Sequence, residues 1–160
     1  MRPALLACFA SVALSISAAA FAAGGGGGQD TVVSKPADPN YTRALAMIKA
    51  NDYKGALPLL QQVVAKDNKN ADAYNLMGFA TRKSGDANGS LQFYQQALTL
   101  DSKHLGAHEY IGEAYLMLDR VAEAEQHLAR LDSICVFGCT EYRMLKTAIA
   151  NYKAGRRPTN

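Results

Sequence analysis

The side chains with the most chemistry open to them in this 160-residue chain are two cysteines, Cys135 and Cys139. Two thiols at this spacing can close a disulfide, cycle as a dithiol, or offer a pair of soft ligands to a metal such as Cu(I). Cys139 precedes an amphipathic stretch, and a helix N-terminus there would favour its thiolate. The usual oxidoreductase spacing is C-x-x-C within a βαβ fold, and here three residues separate the pair. A copper site wants a third ligand, and only His104, His108 and His127 are available. The first two are four apart but straddle a helix start, and the third belongs to another helix, so packing or surface roles are expected and no metal site. The chain has no G-x-S-x-G, H-E-x-x-H, phosphate-binding glycine loop or C-x-x-C. No catalytic residue and no cofactor are therefore expected, and the chain reads as a non-enzyme.

The redox compartment follows from the N-terminus. Met1–Ala22 carries one charge, Arg2, then LLACFASVALSISAAAFA ending in Ala20-Phe21-Ala22. A charged start, an apolar core and an A-x-A end form the pattern of a secretory signal peptide, with cleavage expected after Ala22. The mature chain is then periplasmic or secreted and keeps no stable membrane span. Cys8 leaves with the signal, so an even pair remains in an oxidising compartment, which favours a Cys135–Cys139 disulfide. Closing so short a loop contributes roughly 2 kcal/mol on the chain-entropy formula. Loss of Arg2 takes 17 basic side chains to 16 against 14 acidic ones, a net charge of +2. No clustered basic face of the kind nucleic acid requires is present. Residues 23–39, with Gly24–Gly28 and Pro36 and Pro39, read as a flexible Gly-rich linker.

The elements that hold these residues come from a repeat of 34 positions. Asn51, Gly85 and Asp119 stand at that interval, and all three types tolerate the left-handed backbone of a helix C-terminus. Asp52 and Asp86 follow and can cap the next helix. Ala44, Gly78 and Gly112 are small, as are Ala56, Ser90 and Ala124, while Leu60, Tyr94 and Leu128 are bulky. Such self-similarity marks a solenoid of stacked units. Seven helices are expected: Asn40–Ala50, Tyr53–Lys66, Ala71–Ser84, Ala87–Leu100, Leu105–Leu118, Val121–Ile134 and Glu141–Ala154. Pro58 should kink the second slightly. Thr140 is expected to cap the last one and Gly155 to end it.

With the pattern of Tyr74, Gly78, Gly85, Tyr94, Ala97 and Leu100, the chain resembles the tetratricopeptide repeat (TPR) family. The three copies are Ala37–Asn70, Ala71–His104 and Leu105–Gly138. The first departs at Arg43, where a large apolar residue is usual, and the third has His108 in the aromatic slot. The resemblance implies an all-α fold, a right-handed α-solenoid of three helix pairs plus a C-terminal capping helix at 140–154, spanning 40–155 with a tail at 156–160. It also implies a concave groove built by the first helix of each pair, from Tyr41, Leu45 and Ile48, then Asn75, Phe79 and Arg82, then Glu109, Glu113 and Leu116. The family's basic clamp for C-terminal carboxylates is missing, because Tyr41, Leu45, Leu76, Gly106 and Tyr110 occupy its positions. The expected partner is a protein or peptide of the bacterial cell envelope bound in this groove, with the chain an adaptor. The alternative is a periplasmic thiol-redox or copper-handling protein using Cys135 and Cys139.

Overall fold

A computed structural model describes residues 38–158; the expected signal peptide at 1–22 and most of the expected linker at 23–39 lie outside them. Among the described residues there are seven helices and no strand: α1 Pro39–Lys49, α2 Tyr53–Lys66, α3 Ala71–Lys83, α4 Ala87–Leu100, α5 Leu105–Met117, α6 Val121–Ile134 and α7 Thr140–Lys153. The helices pack in sequence as antiparallel hairpins, and α7 packs on both α6 and α5. No described helix is long and apolar enough to cross a membrane.

Each junction inside a pair is made the same way. Asn51 (φ 62°), Gly85 (φ 103°) and Asp119 (φ 60°) take left-handed backbone. That turn lets the next two N–H groups reach back to the helix's last free carbonyls, as Gly85 N does to Arg82 O at 2.9 Å and Asp86 N to Thr81 O at 3.2 Å. Asp52 Oδ1 then accepts from Gly55 N (3.0 Å) and Asp86 Oδ1 from Gly89 N (2.7 Å), capping α2 and α4. Arg120, at the third such position, makes no side-chain cap and pairs instead with Glu123. Between pairs, Asn70 caps α3 and His104 caps α5 through Nδ1, which accepts from Ala107 N at 3.1 Å.

The small positions lie where the helices meet. Ala44, Ala56, Ser90 and Ala124 are fully buried. A Cβ on Gly78 would stand 2.6 Å from the Tyr94 ring, so any side chain there would displace the most deeply buried aromatic among the described residues. Tyr94, Leu60, Ile111, Leu131 and Leu145 fill the two core clusters, one under the first hairpin and one running from α4 to α7. On α1 only Ala44 is fully buried, and Arg43 points to solvent.

Some local details differ from the sequence expectation. α1 begins at Pro39 rather than Asn40, since Asp38 caps it by accepting from Asn40 N, and proline needs no hydrogen-bond partner in a first turn. α2 keeps its expected span, Tyr53–Lys66, with Pro58 inside it. Thr140 is the first residue of α7 and does not cap it; Cys139 holds the cap position without a side-chain bond, and Arg143 donates to the Thr140 hydroxyl instead. The last helix, α7, packs on the third pair as the expected cap. It ends at Gly155 (φ 80°), with Gly155 N bonded to Tyr152 O and Arg156 N to Asn151 O, the same closing turn that ends α1, α3 and α5. α7 thus ends in the same way as the first helix of each pair. Leu145 seats over Gly112, where a Cβ would come within 2.6 Å of it. Asp119 accepts from Tyr152 (2.6 Å) and pairs with Arg157 (2.7 Å), tying the end of α7 to the turn after α5.

Candidate functional site

The first helices of the second and third pairs, α3 and α5, and the last helix, α7, enclose a cleft of about 370 Å³. Phe79, Arg82 and Lys83 come from α3, Glu109, Tyr110 and Glu113 from α5, and Met144 from α7, with Pro158 of the tail at the edge. A second cleft of the same size adjoins it, sharing Glu113 and Met144 and continuing along α7 past Arg143 and Thr147 to Asn151.

Arg82 is the centre of the first cleft and is only 4% exposed. One guanidinium nitrogen lies 2.7 Å from Glu113 Oε2, and Nε donates to the Tyr94 hydroxyl at 3.4 Å. The guanidinium carbon also sits 5.6 Å from the centre of the Phe79 ring and 5.8 Å from that of Tyr110, within cation–π range. Burial works against this charge, but the Tyr94 and Glu113 oxygens outweigh it and hold the guanidinium pKa above its usual value. Burial likewise pushes the Tyr94 and Tyr110 hydroxyls up. Arg82 is therefore a charge already answered from within the protein.

Glu109 is not answered. It is 3% exposed and its Oε1 has no hydrogen-bond partner. Burial first, then the neighbouring Glu113 and Glu141, push its carboxyl up to about 7, with Arg82 opposing. One period earlier, buried Asn75 also keeps Oδ1 without a partner, its amide nitrogen packed under Gly106. Two successive repeats thus bury an unused acceptor at the same register position.

Of the nine groove residues expected from the sequence, four meet in the first cleft: Phe79, Arg82, Glu109 and Glu113. Asn75 is buried against Gly106 of α5 and lines neither cleft. Tyr41, Leu45 and Ile48 on α1 line neither cleft; Tyr41 and Ile48 pack against the first-hairpin core. Leu116 is 1% exposed and belongs to the core, so it offers no groove surface. Arg143, Met144 and Thr147 line the clefts without having been expected. A further step of 34 from Glu109, Tyr110 and Glu113 lands on these three, so continuing the period past the third copy would have found them.

The other chemistry-bearing residues gather elsewhere. Cys135 and Cys139 are joined with their Cα atoms 5.6 Å apart, bracketing the turn between α6 and α7. Val136 and Phe137, at the tip, are 80% and 100% exposed. His108 and His127 come together, Nδ1 to Nδ1 at 2.8 Å, although they lie on different helices. His108 Nε2 reaches the Ser102 carbonyl at 3.2 Å, which can only accept; a neutral His108 then accepts at Nδ1 from His127. Burial lowers both pKa values, that of His127 to about 4, so both rings are neutral packing groups. Among the described residues no three His, Cys, Asp or Glu side chains come together as a metal site would require.

Comparison with known proteins agrees with this architecture. The family model described as tetratricopeptide repeat matches residues 81–149, from the end of α3 into α7. The type III secretion translocator chaperone SycD of Yersinia enterocolitica superposes with a TM-score of 0.66 at 17% identity, over 73% of this chain and 83% of that one. MamA of Desulfovibrio magneticus RS-1 superposes with a TM-score of 0.57 at 27% identity, over 59% of this chain and 54% of that one. No curated protein matches the chain. The 34-residue period, the repeated closing turns and the family match at 81–149 show that the chain carries tetratricopeptide-type repeats, and the superpositions show the same helical fold.

Proposed function

We propose that the chain is a non-enzymatic adaptor of the bacterial cell envelope that holds a segment of a partner protein in the cleft between α3, α5 and α7. The observation that carries this is the cleft itself, where aromatic and apolar walls surround polar groups that the fold leaves unused. A protein of the same fold, SycD of Yersinia enterocolitica, has been solved in complex with a peptide of the translocator YopD, which supports a peptide or protein partner. The envelope location rests on the signal-like pattern of Met1–Ala22. Affinity capture from envelope extract, wild type against Phe79→Ala, tests the proposal, and the variant should lose partners.

In this view the Cys135–Cys139 bridge is structural, holding α7 and its share of the cleft on the third pair. Protein taken from its own compartment and alkylated without reductant should carry no label on either cysteine, and its intact mass should be lighter than the dithiol form by two hydrogens. Ready labelling under those conditions, or copper retained through purification, would favour the redox or metal alternative instead.

A further inference from the structure

We infer that the cleft takes the cationic side chain of a lysine or arginine in the bound segment, with Glu109 as its counter-ion. This rests on the cleft being the partner site and names what that site selects. The geometry is one-sided. The cleft's buried cation, Arg82, is committed to Glu113 at 2.7 Å and to Tyr94. Glu109 is almost wholly buried, lines the same cleft and has an oxygen with no donor. The charges that act on Glu109 are the Glu113 and Glu141 carboxylates and, opposing them, the already paired Arg82 guanidinium; Lys83 of α3 lines the same cleft and Arg143 of α7 the adjoining one. Phe79 and Tyr110, their rings 5.0 Å apart, and Met144, which is 49% exposed, supply the apolar wall for the stem of such a side chain. A carboxylate brought to Glu109 would meet like charge there and from Glu113 and Glu141. A basic side chain would give Glu109 the donor it lacks.

The pairing has a proton signature. Unbound Glu109 titrates near 7, and burial is the main cause. A cation needs the ionised form, so binding expels the proton below that value and needs no proton change well above it. Affinity therefore rises with pH through neutrality and then levels.

Blocked hexapeptides of sequence acetyl-Ala-Leu-Xaa-Leu-Ala-Ala-amide, with Xaa Lys, Arg, Gln or Glu, provide the test. Each is titrated calorimetrically into the full chain at about pH 6 and about pH 8.5, in two buffers of different ionisation enthalpy. The Lys and Arg peptides should bind on the order of tenfold or more tightly than Gln. They should release protons at the lower pH only. Glu109→Gln should abolish both effects, whereas Phe79→Ala should weaken all four peptides while leaving the Lys-to-Gln ratio in place. Equal binding of Lys and Gln peptides, or a preference that survives Glu109→Gln, overturns the inference and leaves the adaptor proposal standing. Binding of spermidine with no peptide bound overturns it as well, because the cation would then be a free polyamine. Failure of all four peptides also overturns it, and the capture experiment then decides the adaptor proposal separately.

Discussion

Replacing Arg82 with alanine should lower the melting temperature by about 10 °C. The guanidinium is buried, paired with Glu113 and bonded to Tyr94, and it fills the space between Phe79 and Tyr110. Breaking a buried pair from one side costs ~3–5 kcal/mol, chiefly because the remaining charge keeps its desolvation penalty. Glu113 is 23% exposed and recovers some hydration, which places the loss near the low end, about 3 kcal/mol. For a domain of this size each kcal/mol moves the midpoint by roughly 3–4 °C. Truncation also leaves Glu109 and Glu113 facing each other with no cation between. The double variant Arg82→Met with Glu113→Leu should recover most of the loss, because it removes both charges and keeps the stem packing. Thermal melts followed by circular dichroism check both statements. A single variant that melts with the wild type would mean Arg82 contributes nothing to the fold.

Glu109→Gln should move stability the other way, by an amount that grows above about pH 4.5 and is complete above about pH 7. The folded-state pKa of Glu109 is about 7 against an ordinary 4.5, so between these values the folded chain holds a proton that the unfolded chain has released. Stability that depends on that proton is complete below about 4.5 and is lost as pH rises through about 7. The full shift corresponds to about 3 kcal/mol. A buried glutamine still lacks a partner, so the variant should gain rather less, about 2 kcal/mol above neutrality. Denaturant unfolding at about pH 5 and about pH 8 should show the wild type weakening with pH and the variant flat by comparison. An identical slope in both proteins would mean that Glu109 titrates normally. If the gain is seen, the carboxylate is retained at a cost in stability, as expected of a group kept for binding.

Much of the fold was legible because it rests on hard sterics. Only a few residue types accept the backbone at Asn51, Gly85 and Asp119, and only a residue without a side chain fits under Tyr94 at Gly78, so these positions report themselves at their interval. The caps at Asp52 and Asp86 are equally local. What the sequence hid depends on the tilt of one helix against another. Leu116 shares the register of Ile48 and Arg82, yet it is buried in the core cluster to which α7 contributes Leu145. The first copy was expected to join the groove, but the cleft forms where α7 adds a third wall, beyond the reach of α1. The meeting of His108 with His127 follows from helix packing within the third pair, which composition and spacing do not show. Arg82 and Glu113 were both placed on the groove face by register; that they satisfy each other and strand Glu109 emerged only from their distances.

The most direct measurement is affinity capture from envelope extract with wild-type protein, Phe79→Ala and a control, Gln92→Ala, changed at an exposed position on α4. All three should first be shown to be folded by circular dichroism. If a partner segment seats between α3, α5 and α7, the wild type and Gln92→Ala retain the same partner and Phe79→Ala loses it. Equal retention by Phe79→Ala, or loss in Gln92→Ala instead, would contradict the placement of the partner in this cleft.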